Sequence, residues 1–368
     1  MAYTTYRIEL RTSDNIVIEP TLMWLSAQYV LKERGIGVLT VRVPPRYGLA
    51  LFRKHSRLLI YRSINGAPEY LEGDATWILT SRVYTLDEQG VEAITLTAQH
   101  ANMVLRRRIV AYSAGSAQAS KSSAVDTMMR AIVDENFISA TDTTRNLASG
   151  VLALGAVAGS GPTIAKSFCR DNVLNTLEDL ANAAALAGTY TGYEVRTLSG
   201  ALTFIVYLSQ RGVDRTIGSG NDLIFSPQRR NLVNIDLDED WTEEATFVYA
   251  GGQGEGANRV IQSASNTTAI GESVFGRAEL FRDARNSTTT AQVQDEADDA
   301  LYATRTVRRF SGSAQDTDGC TYGVHYRWGD RVTAQILDQQ FNCRVDPVAV
   351  ALDRESGEVL DIRLEATA

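Results

Sequence analysis

The sequence predicts an α+β protein that is mostly β, in which two β-rich segments flank a helical insert with a small sheet. Apolar and polar residues alternate through much of residues 1–110, apolar residues recur at helical spacing within 111–220, and strand patterns return over 221–368. The length of 368 residues agrees with two or three domains of about 150 residues each. We therefore expect three domains with these boundaries.

The first segment has the strand and turn pattern of a barrel or sandwich. Alternating residues predict three of its strands: Tyr6–Leu10, Val38–Val43 and Arg57–Arg62. The runs Trp77–Tyr84 and Val91–Thr97 lie on either side of a turn-forming Asp-Glu-Gln-Gly sequence, which predicts a hairpin. Short helices are expected at Leu22–Lys32 and His100–Arg107.

The insert changes to the period of a helix. Apolar spacing predicts a helix around Val125–Val133, with Ser122 or Ser123 as its N-terminal cap. A second helix is expected over Asp171–Leu186, with Gly188 ending it. Two β-type runs joined by a glycine-containing turn then predict a hairpin: Gly192–Arg196 and Leu202–Tyr207.

The last segment is again dominated by strand patterns. Its one helix is predicted over Thr288–Arg305, where Val293, Ala297, Ala300 and Leu301 lie at helical spacing. Five strands are predicted after it: Thr306–Ser311, Thr321–Tyr326, Arg331–Leu337, Cys343–Leu352 and Val359–Leu364.

The stretch Ala245–Arg285 contains a glycine cluster, in which Gly252–Ala257 fits the G-x-G-x-x-A form of a dinucleotide-binding turn. That turn needs a strand before it and a helix after it, so that a pyrophosphate meets free N–H groups at the helix start. Here Thr246–Tyr249 has strand character, but Asn258–Ile261 after the cluster is again β-type. We therefore predict a tight connection between two strands and no cofactor.

The composition excludes several classes of function. A net charge of −8 and a pI near 5.1 give the chain no general attraction for nucleic acid. We interpret the basic runs Arg106–Arg108 and Arg305–Arg309 as solvated faces or ion pairs. No segment approaches the ~20 apolar residues of a membrane span, and the first residues lack a secretory signal. Three widely spaced cysteines predict free thiols and synthesis in a reducing cytoplasm: Cys169, Cys320 and Cys343.

No group of residues has the spacing of a catalytic or metal site. The histidines lie far apart in the sequence: His55, His100 and His325. One acidic run has residues that calcium prefers but lacks the glycine and the distal glutamate of a calcium loop: Asp236, Asp238, Glu239 and Asp240. A second run, Asp295–Asp299, is interpreted as a solvated helix face. We therefore predict no catalytic, cofactor-binding or metal-binding residues and no enzyme activity.

Three stretches carry a resemblance to a known family. The first is Arg230–Val233 leading through an acidic spacer to Thr246–Arg259, with its Gly-x-Gly-Glu-Gly turn and following arginine. The second is the GRAELFRDAR segment, Gly276–Arg285. The third is Tyr326–Val332, with the pattern Tyr-x-x-Gly-Asp-x-Val. In these stretches the chain resembles the tail-hub, or baseplate-hub, proteins of tailed bacteriophages.

The resemblance implies a structural virion protein at the tip of the phage tail. It implies two small β-barrel domains of the tail-tube type on either side of the insert. It further implies a homotrimer that closes the distal end of the tail tube and contacts the tail tube or distal tail protein, the tape-measure protein and a tail tip or spike. Such a protein is made in the host cytoplasm, and DNA passes through its lumen only in transit.

Two other functions are kept as alternatives. A cell-wall hydrolase at the tail tip would need a catalytic constellation, which the order of residues does not offer. A host-glycan-binding module would need exposed aromatic rings, for which the tryptophans are the candidates: Trp24, Trp77, Trp241 and Trp328. Each tryptophan also lies in or beside an apolar run, so core packing is the favoured interpretation.

Overall fold

The computed structural model describes residues 3–86, 88, 90–111, 119–168, 170–354 and 357–366. Strands hold 46% of the chain and helices 19%, which confirms the prediction of a mostly β protein.

The N-terminal part contains seven strands and a short helix: β1 (Thr4–Arg11), β2 (Val17–Leu22), β3 (Ser26–Leu31), β4 (Val38–Val43), β5 (Arg57–Ile64), β6 (Tyr70–Leu86), β7 (Glu92–His100) and α1 (Met103–Arg106). The predicted hairpin is confirmed, because β6 and β7 pair antiparallel. Its turn residues Asp87 and Gln89 lie outside the described residues. The helix predicted after His100 is present as α1.

The helix predicted over Leu22–Lys32 is wrong, because that stretch contains strand β3. Ala27, Tyr29 and Leu31 are buried, whereas the residues between them face outward. This period of two is the pattern of a half-buried strand, and pairing with β4 and with a distant strand overrides the weak helical propensity.

The insert contains β8 (Ala119–Ala124), α2 (Val125–Val133), β9 (Leu152–Leu154), β10 (Thr163–Phe168), α3 (Val173–Leu186), β11 (Thr191–Leu198) and β12 (Ala201–Leu208). Both predicted helices and the predicted hairpin of β11 and β12 are confirmed. The predicted serine cap of α2 is wrong. Ser122 and Ser123 belong to β8, where they pair with β10, and the cap position is Ala124 without a side-chain hydrogen bond.

The insert packs around a second hydrophobic core, to which Ile78, Met103 and Leu105 of the N-terminal part also contribute. The apolar faces of α2 and α3 pack together with the small sheet through Met128, Ile132, Leu177, Tyr193 and Phe204, all of which are buried. This second core is separate from the main core of the two β-rich parts.

After the insert come β13 (Asp214–Arg215), β14 (Ile224–Phe225), β15 (Leu232–Asp240), β16 (Phe247–Gly251), β17 (Ile261–Ser265), α4 (Thr267–Glu272), β18 (Glu279–Asp283), α5 (Thr290–Ala303), β19 (Val307–Ala314), β20 (Arg331–Ile336), β21 (Gln339–Asp353) and β22 (Gly357–Ala366). The predicted helix is confirmed as α5, and four of the five predicted strands are β19 to β22. Helix α5 covers one side of a three-stranded sheet of order β17-β16-β18.

The strand predicted at Thr321–Tyr326 is wrong. The segment is a compact turn with a single bridge between Tyr322 and Tyr326, and Gly323 has a φ of +82° that a regular strand does not allow. Both tyrosines are buried and stack edge to face with ring centroids 5.6 Å apart. Their apolar character therefore reflects core packing from a turn.

Most strands of the two β-rich parts join one sheet, whose main path is β15-β19-β22-β21-β3-β4-β7-β6-β5-β1-β2. The two parts meet where β21 pairs antiparallel with β3, and their side chains share one core. Among the described residues no sheet closes into a barrel, so the barrel shape expected from the resemblance is not confirmed.

The two β-rich parts repeat one topology. In the first, the spatial order is β3-β4-β7-β6-β5, and in the second it is β15-β19-β22-β21, with β20 pairing on the far side of β21. Numbered along the chain, both orders read first, second, fifth, fourth, third. The two halves show no visible similarity in sequence, because the repeat consists of the order in which their strands pair.

Candidate assembly surface

The candidate functional surface is one face of eight consecutive strands, in the order β15-β19-β22-β21-β3-β4-β7-β6. Residues directly opposite each other on paired antiparallel strands share a face. One such row crosses six strands and carries no charge: Val359, Ala351, Gln28, Thr40, Thr97 and Ser81. None of these six is buried, so we name this side of the eight strands the open face.

The opposite side of the same strands forms the main core. Its adjacent row is fully buried: Val350, Tyr29, Leu39, Ala98 and Leu79. Because side chains alternate along a strand, the burial of this row directs the neighbouring residues to the open face. Alternation with small polar residues on one side is the pattern of a sheet that is solvated on that side.

The β15 end of the open face carries most of its carboxylates. Val233 of β15 lies opposite Ser313 of β19, which lies opposite Arg363 of β22, and this row continues the open face. Farther along β15, three carboxylates lie on the side of Ser313: Asp236, Asp238 and Asp240. Asp361 pairs with Arg363 at 3.5 Å. The open face therefore has one uncharged row at its centre, a neighbouring row with one opposite pair of charges, Asp353 and Arg42, and several carboxylates at the β15 edge.

The acidic run of β15 does not form a calcium loop. Its residues are spread along an extended strand, so that Glu239 lies on the side opposite to Asp238 and Asp240. Within the described part of the chain, no group of three or more histidine, cysteine, aspartate or glutamate residues is placed to hold a metal ion.

The glycine cluster is a strand-to-strand connection, as predicted. β16 and β17 pair antiparallel on either side of it, and one 3₁₀ turn, Gly256–Asn258, lies between them in place of an α-helix. Gly254 has a φ of +114°, and an added Cβ there would lie 2.6 Å from the carbonyl oxygen of Asn258. Arg259 donates to the carbonyl oxygens of Gly251 and Gly252 at 2.9 and 3.0 Å.

Arg259 also pairs with Asp283 of β18, from the GRAELFRDAR segment. Two of the stretches that carry the resemblance are thus joined by the contacts of Arg259. These contacts connect the segment before β17 to β18, the two edge strands of the three-stranded sheet.

The third of those stretches, Tyr326–Val332, joins the insert to the second β-rich part. The carboxylate of Asp330 accepts from the backbone nitrogen of Val213 at 2.7 Å, from that of Arg327 at 3.0 Å and from Nε of Arg215 at 2.8 Å. The buried guanidinium of Arg211 lies 4.1 Å from the centre of the Trp328 ring. These contacts account for the aspartate and the tryptophan of this stretch.

Arg211 also binds Glu194 of β11, with 2.9 Å between Nε and Oε1. Burial alone would raise the pKa of Glu194, but Arg211 and Arg196 outweigh it and the pKa is lowered. Nearby, burial lowers the pKa of His100 to about 4, so this histidine is neutral at pH 7. The sequence pattern missed this network because His100 lies 94 residues from Glu194 and 111 residues from Arg211.

Asp346 is a buried acceptor between the N-terminal part and the second β-rich part. Its Oδ1 accepts from the backbone nitrogen of Glu33 at 2.9 Å and from Nε1 of Trp328 at 2.8 Å. Burial, followed by the charge of Glu33, raises the pKa of Asp346 to about 8. The folded chain therefore holds this carboxyl group protonated at neutral pH.

We expect Asp346→Ala to lower the free energy of unfolding by about 2 kcal/mol or more, because two buried donors lose their acceptor. Asp346→Asn keeps an oxygen acceptor and is the matched control. The folded state retains a proton that the unfolded chain releases near pH 4, so this group's contribution to stability falls as pH rises toward 8. Chemical unfolding at pH 6 and pH 8.5 should therefore show that the stability of Asp346→Asn relative to the natural chain is higher at pH 8.5. An equal stability difference at the two pH values would contradict a raised pKa for Asp346.

The acidic run on α5 is only partly solvated, contrary to the interpretation as a solvated face. Burial, followed by the charge of Asp299, raises the pKa of Asp295 to about 6. Lys166 of β10 lies 3.7 Å from both Asp299 and Asp179 of α3. Helix α5 is therefore docked on the insert through shared charges.

We expect Asp295→Asn to stabilise the chain at pH 7.5 by on the order of 1 kcal/mol, because it removes a half-buried charge beside like charges. A raised carboxyl pKa lowers stability as pH rises through 6, so the gain should shrink at pH 5. Thermal unfolding at the two pH values measures it, with the exposed Asp338→Asn as control. An equal gain at both pH values would count against this cause.

The remaining candidate residues are dispersed. His55 lies 3.1 Å from Arg107, and Nδ1 of His325 accepts from the backbone nitrogen of Thr321. Arg305 lies over the ring of Tyr302. Cys320 and Cys343 are buried free thiols, whereas Cys169 lies outside the described residues.

The tryptophans mostly pack in the core. Trp77 and Trp328 are buried, and Trp24 is partly buried against the main core. Trp241 is 59% exposed and stands apart from the other three. The structure thus offers one exposed tryptophan and no tryptophan platform among the described residues.

The family model of the Siphovirus ReqiPepy6 Gp37-like proteins matches residues 23–364, which include all eight strands of the open face except the last two residues of β22. The chain belongs to this family. The predicted membership of a siphovirus tail protein family is confirmed. No curated protein is significantly similar in sequence.

Solved structures share the fold of this Gp37-like protein over nearly its whole length. The tail protein from Neisseria meningitidis MC58 is 15% identical, with a TM-score of 0.56 over 98% of this chain and 96% of that chain. The 43 kDa tail protein of prophage MuSo2 from Shewanella oneidensis is 11% identical, with a TM-score of 0.55 over 98% of each. Prophage tail protein gp18 from Listeria monocytogenes EGD-e is 11% identical, with a TM-score of 0.55 over 98% of this chain and 94% of that chain.

Within the described residues of this Gp37-like protein, no helix has the length and apolar character needed to cross a membrane.

Proposed function

We propose that this Gp37-like protein is the hub of a phage tail: a homotrimer that closes the distal end of the tail tube and anchors the tail tip or spike. The observation that carries the proposal is the eight-stranded open face, built from two halves of equal topology. Three copies would supply six such halves, which matches a six-fold tube. The fold shared with phage tail proteins supports the same placement.

In the proposed ring, the open face lines the channel. A polymer that slides through a channel needs a wall with few strong contacts, and the central row of small uncharged residues provides one. The carboxylates of β15 repel the phosphates of DNA, so DNA passes without being held. The main core lies on the outer side of the strands and gives the wall its rigidity.

The domains in this proposal are the barrel-type segments 1–110 and 221–368 around the insert 111–220. The proposed neighbours are the tail tube or distal tail protein, the tape-measure protein and the tip or spike. We propose that the chain acts at the virion tail tip after synthesis in the host cytoplasm, as a structural protein without enzyme activity.

The mass of the purified chain in solution tests the trimer. Light scattering over a range of concentrations is expected to give three times the 40.2 kDa chain mass. A mass of one or two chains, unchanged when purified tail-tube protein is added, would contradict the proposal.

A further inference from the structure

We propose that the outer edge of β6, over Arg82–Leu86, pairs as a strand with β15 of a second copy of this chain. The proposal rests on the ring of copies proposed above and names the contact that closes it.

The internal junction between the two halves is the template for this contact. Strand β21 has two partners on its outer side: β20 pairs with its first part, up to Arg344, and β3 pairs with Val348–Asp353. Strand β6 is arranged in the same way at its start, where β5 pairs with it up to Ile78. Beyond that point, no described strand pairs with the outer side of β6.

The two strands also share a bulge at the same place. The ladder of β6 with β7 shifts after Leu79, which lies opposite Ala98, and Arg82 then lies opposite Leu96. The ladder of β21 with β22 shifts after Val345, opposite Leu364, and Val348 then lies opposite Ile362. In both ladders the facing residues of the partner strand are buried. Arg82–Leu86 therefore corresponds to Val348–Leu352, the part of β21 that pairs with β3.

The equivalent of β3 in the second half is β15, since each is the first strand of its repeat. Strand β15 is also the end of the large sheet, and β19 is its only partner among the described strands. In the template, the strands that correspond to β6 and β15 pair with each other. Within one copy, the end of β6 and the outer side of β15 lack this partner among the described strands. Joining them between copies reproduces the β21–β3 junction.

Both edges expose apolar side chains. On β6, Val83 is 51% and Leu86 is 59% exposed, and on β15, Leu237 is 37% exposed. Arg82 lies on the core side of β6, where it donates to the backbone oxygens of Leu49 and Phe52.

An unprotected edge strand of this kind invites non-specific pairing, which a closed ring removes. A head-to-tail contact that uses two different surfaces closes when the rotation between copies allows it. One contact type then satisfies every β6 and every β15 edge in the ring.

The register of the template gives the pairing to test. Thr85 corresponds to Ala351, which lies opposite Gln28 in the template. In the second half, the row of Val233, Ser313 and Arg363 takes the place of the row of Gln28, Thr40 and Thr97, so Val233 corresponds to Gln28. Thr85 of one copy should therefore lie opposite Val233 of the next copy, on the open face. Directly opposed residues have Cβ atoms about 5 Å apart, which is within disulfide reach after small adjustment.

The test is oxidation of the full chain carrying Thr85→Cys and Val233→Cys with copper phenanthroline, followed by non-reducing gel electrophoresis. We expect a ladder of cross-linked dimers and trimers, at a yield at least ten times that of Thr85→Cys alone, which reports the background of the native cysteines. The control pair is Val38→Cys with Val233→Cys, because Val38 lies on β4, two strands away from the edge of β6. A second pair, Val83→Cys with Asp236→Cys, tests the same contact if the first variant does not fold.

Light scattering of the same samples separates the two proposals. A trimer without cross-linking of either pair, or with equal cross-linking of the control pair, would overturn the edge contact and leave the hub proposal standing. A chain that neither associates nor cross-links, with or without tail-tube protein, would overturn both.

Discussion

Arg62→Ala is expected to lower the free energy of unfolding by about 3–5 kcal/mol, the cost of leaving buried carboxylates without their cation. Arg62 is 2% exposed, and its Nη2 lies 2.8 Å from Oε1 of Glu358 on β22. Burial would lower the pKa of Arg62, but the surrounding Tyr6, Glu72 and Glu358 outweigh it and raise the pKa. The side chain thus ties the N-terminal strands to the last strand of the chain.

The measurement is urea unfolding of the natural chain and the variant, followed by far-UV circular dichroism. Arg7→Ala is the matched control, since Arg7 pairs with Glu9 and Glu69 but is 25% exposed as a side chain, and such pairs contribute at most about 1 kcal/mol. A loss below 1 kcal/mol for Arg62→Ala would show that the tie between the two parts lies elsewhere.

The second large effect concerns the open face. We expect Thr40→Lys combined with Thr97→Lys to make the assembled protein bind DNA at least ten times more tightly, because each copy then adds two cations to an uncharged row. The affinity should fall linearly with salt on a log–log plot. Fluorescence anisotropy of labelled duplex DNA measures both quantities.

The control places the same charges outside the eight strands, as Thr21→Lys with Thr268→Lys, both of which are exposed. We expect this control to bind DNA no more tightly than the natural chain, since its lysines are dispersed on the outer surface. Equal DNA affinity of the two variants would mean that the open face is not the surface that DNA contacts.

Local patterns predicted most elements of the fold. The alternation in β4, the hairpin of β6 and β7, and the capped helix α5 depend on residues close in sequence, and all are present. The glycine cluster was also interpreted correctly, because the β-formers after it exclude a helix. The wrong predictions, at β3 and at the turn of Tyr322 and Tyr326, occur where distant contacts decide the local structure.

The open face could not be predicted from the sequence, because it depends on which strands become neighbours. Ala351 and Gln28 lie opposite each other although more than three hundred residues separate them. The same holds for the bulges of β6 and β21, which become comparable only when the two ladders are seen together. Small polar residues at alternating positions are visible in the sequence, but the order of strands that aligns them in one sheet is not.

Electron microscopy of the purified assembly tests the central claim most directly. The account predicts a ring of three copies with six similar lobes around an open channel, and with the open face of the eight strands turned toward that channel. A particle without a channel, or a ring in which the open face is turned outward, would contradict it.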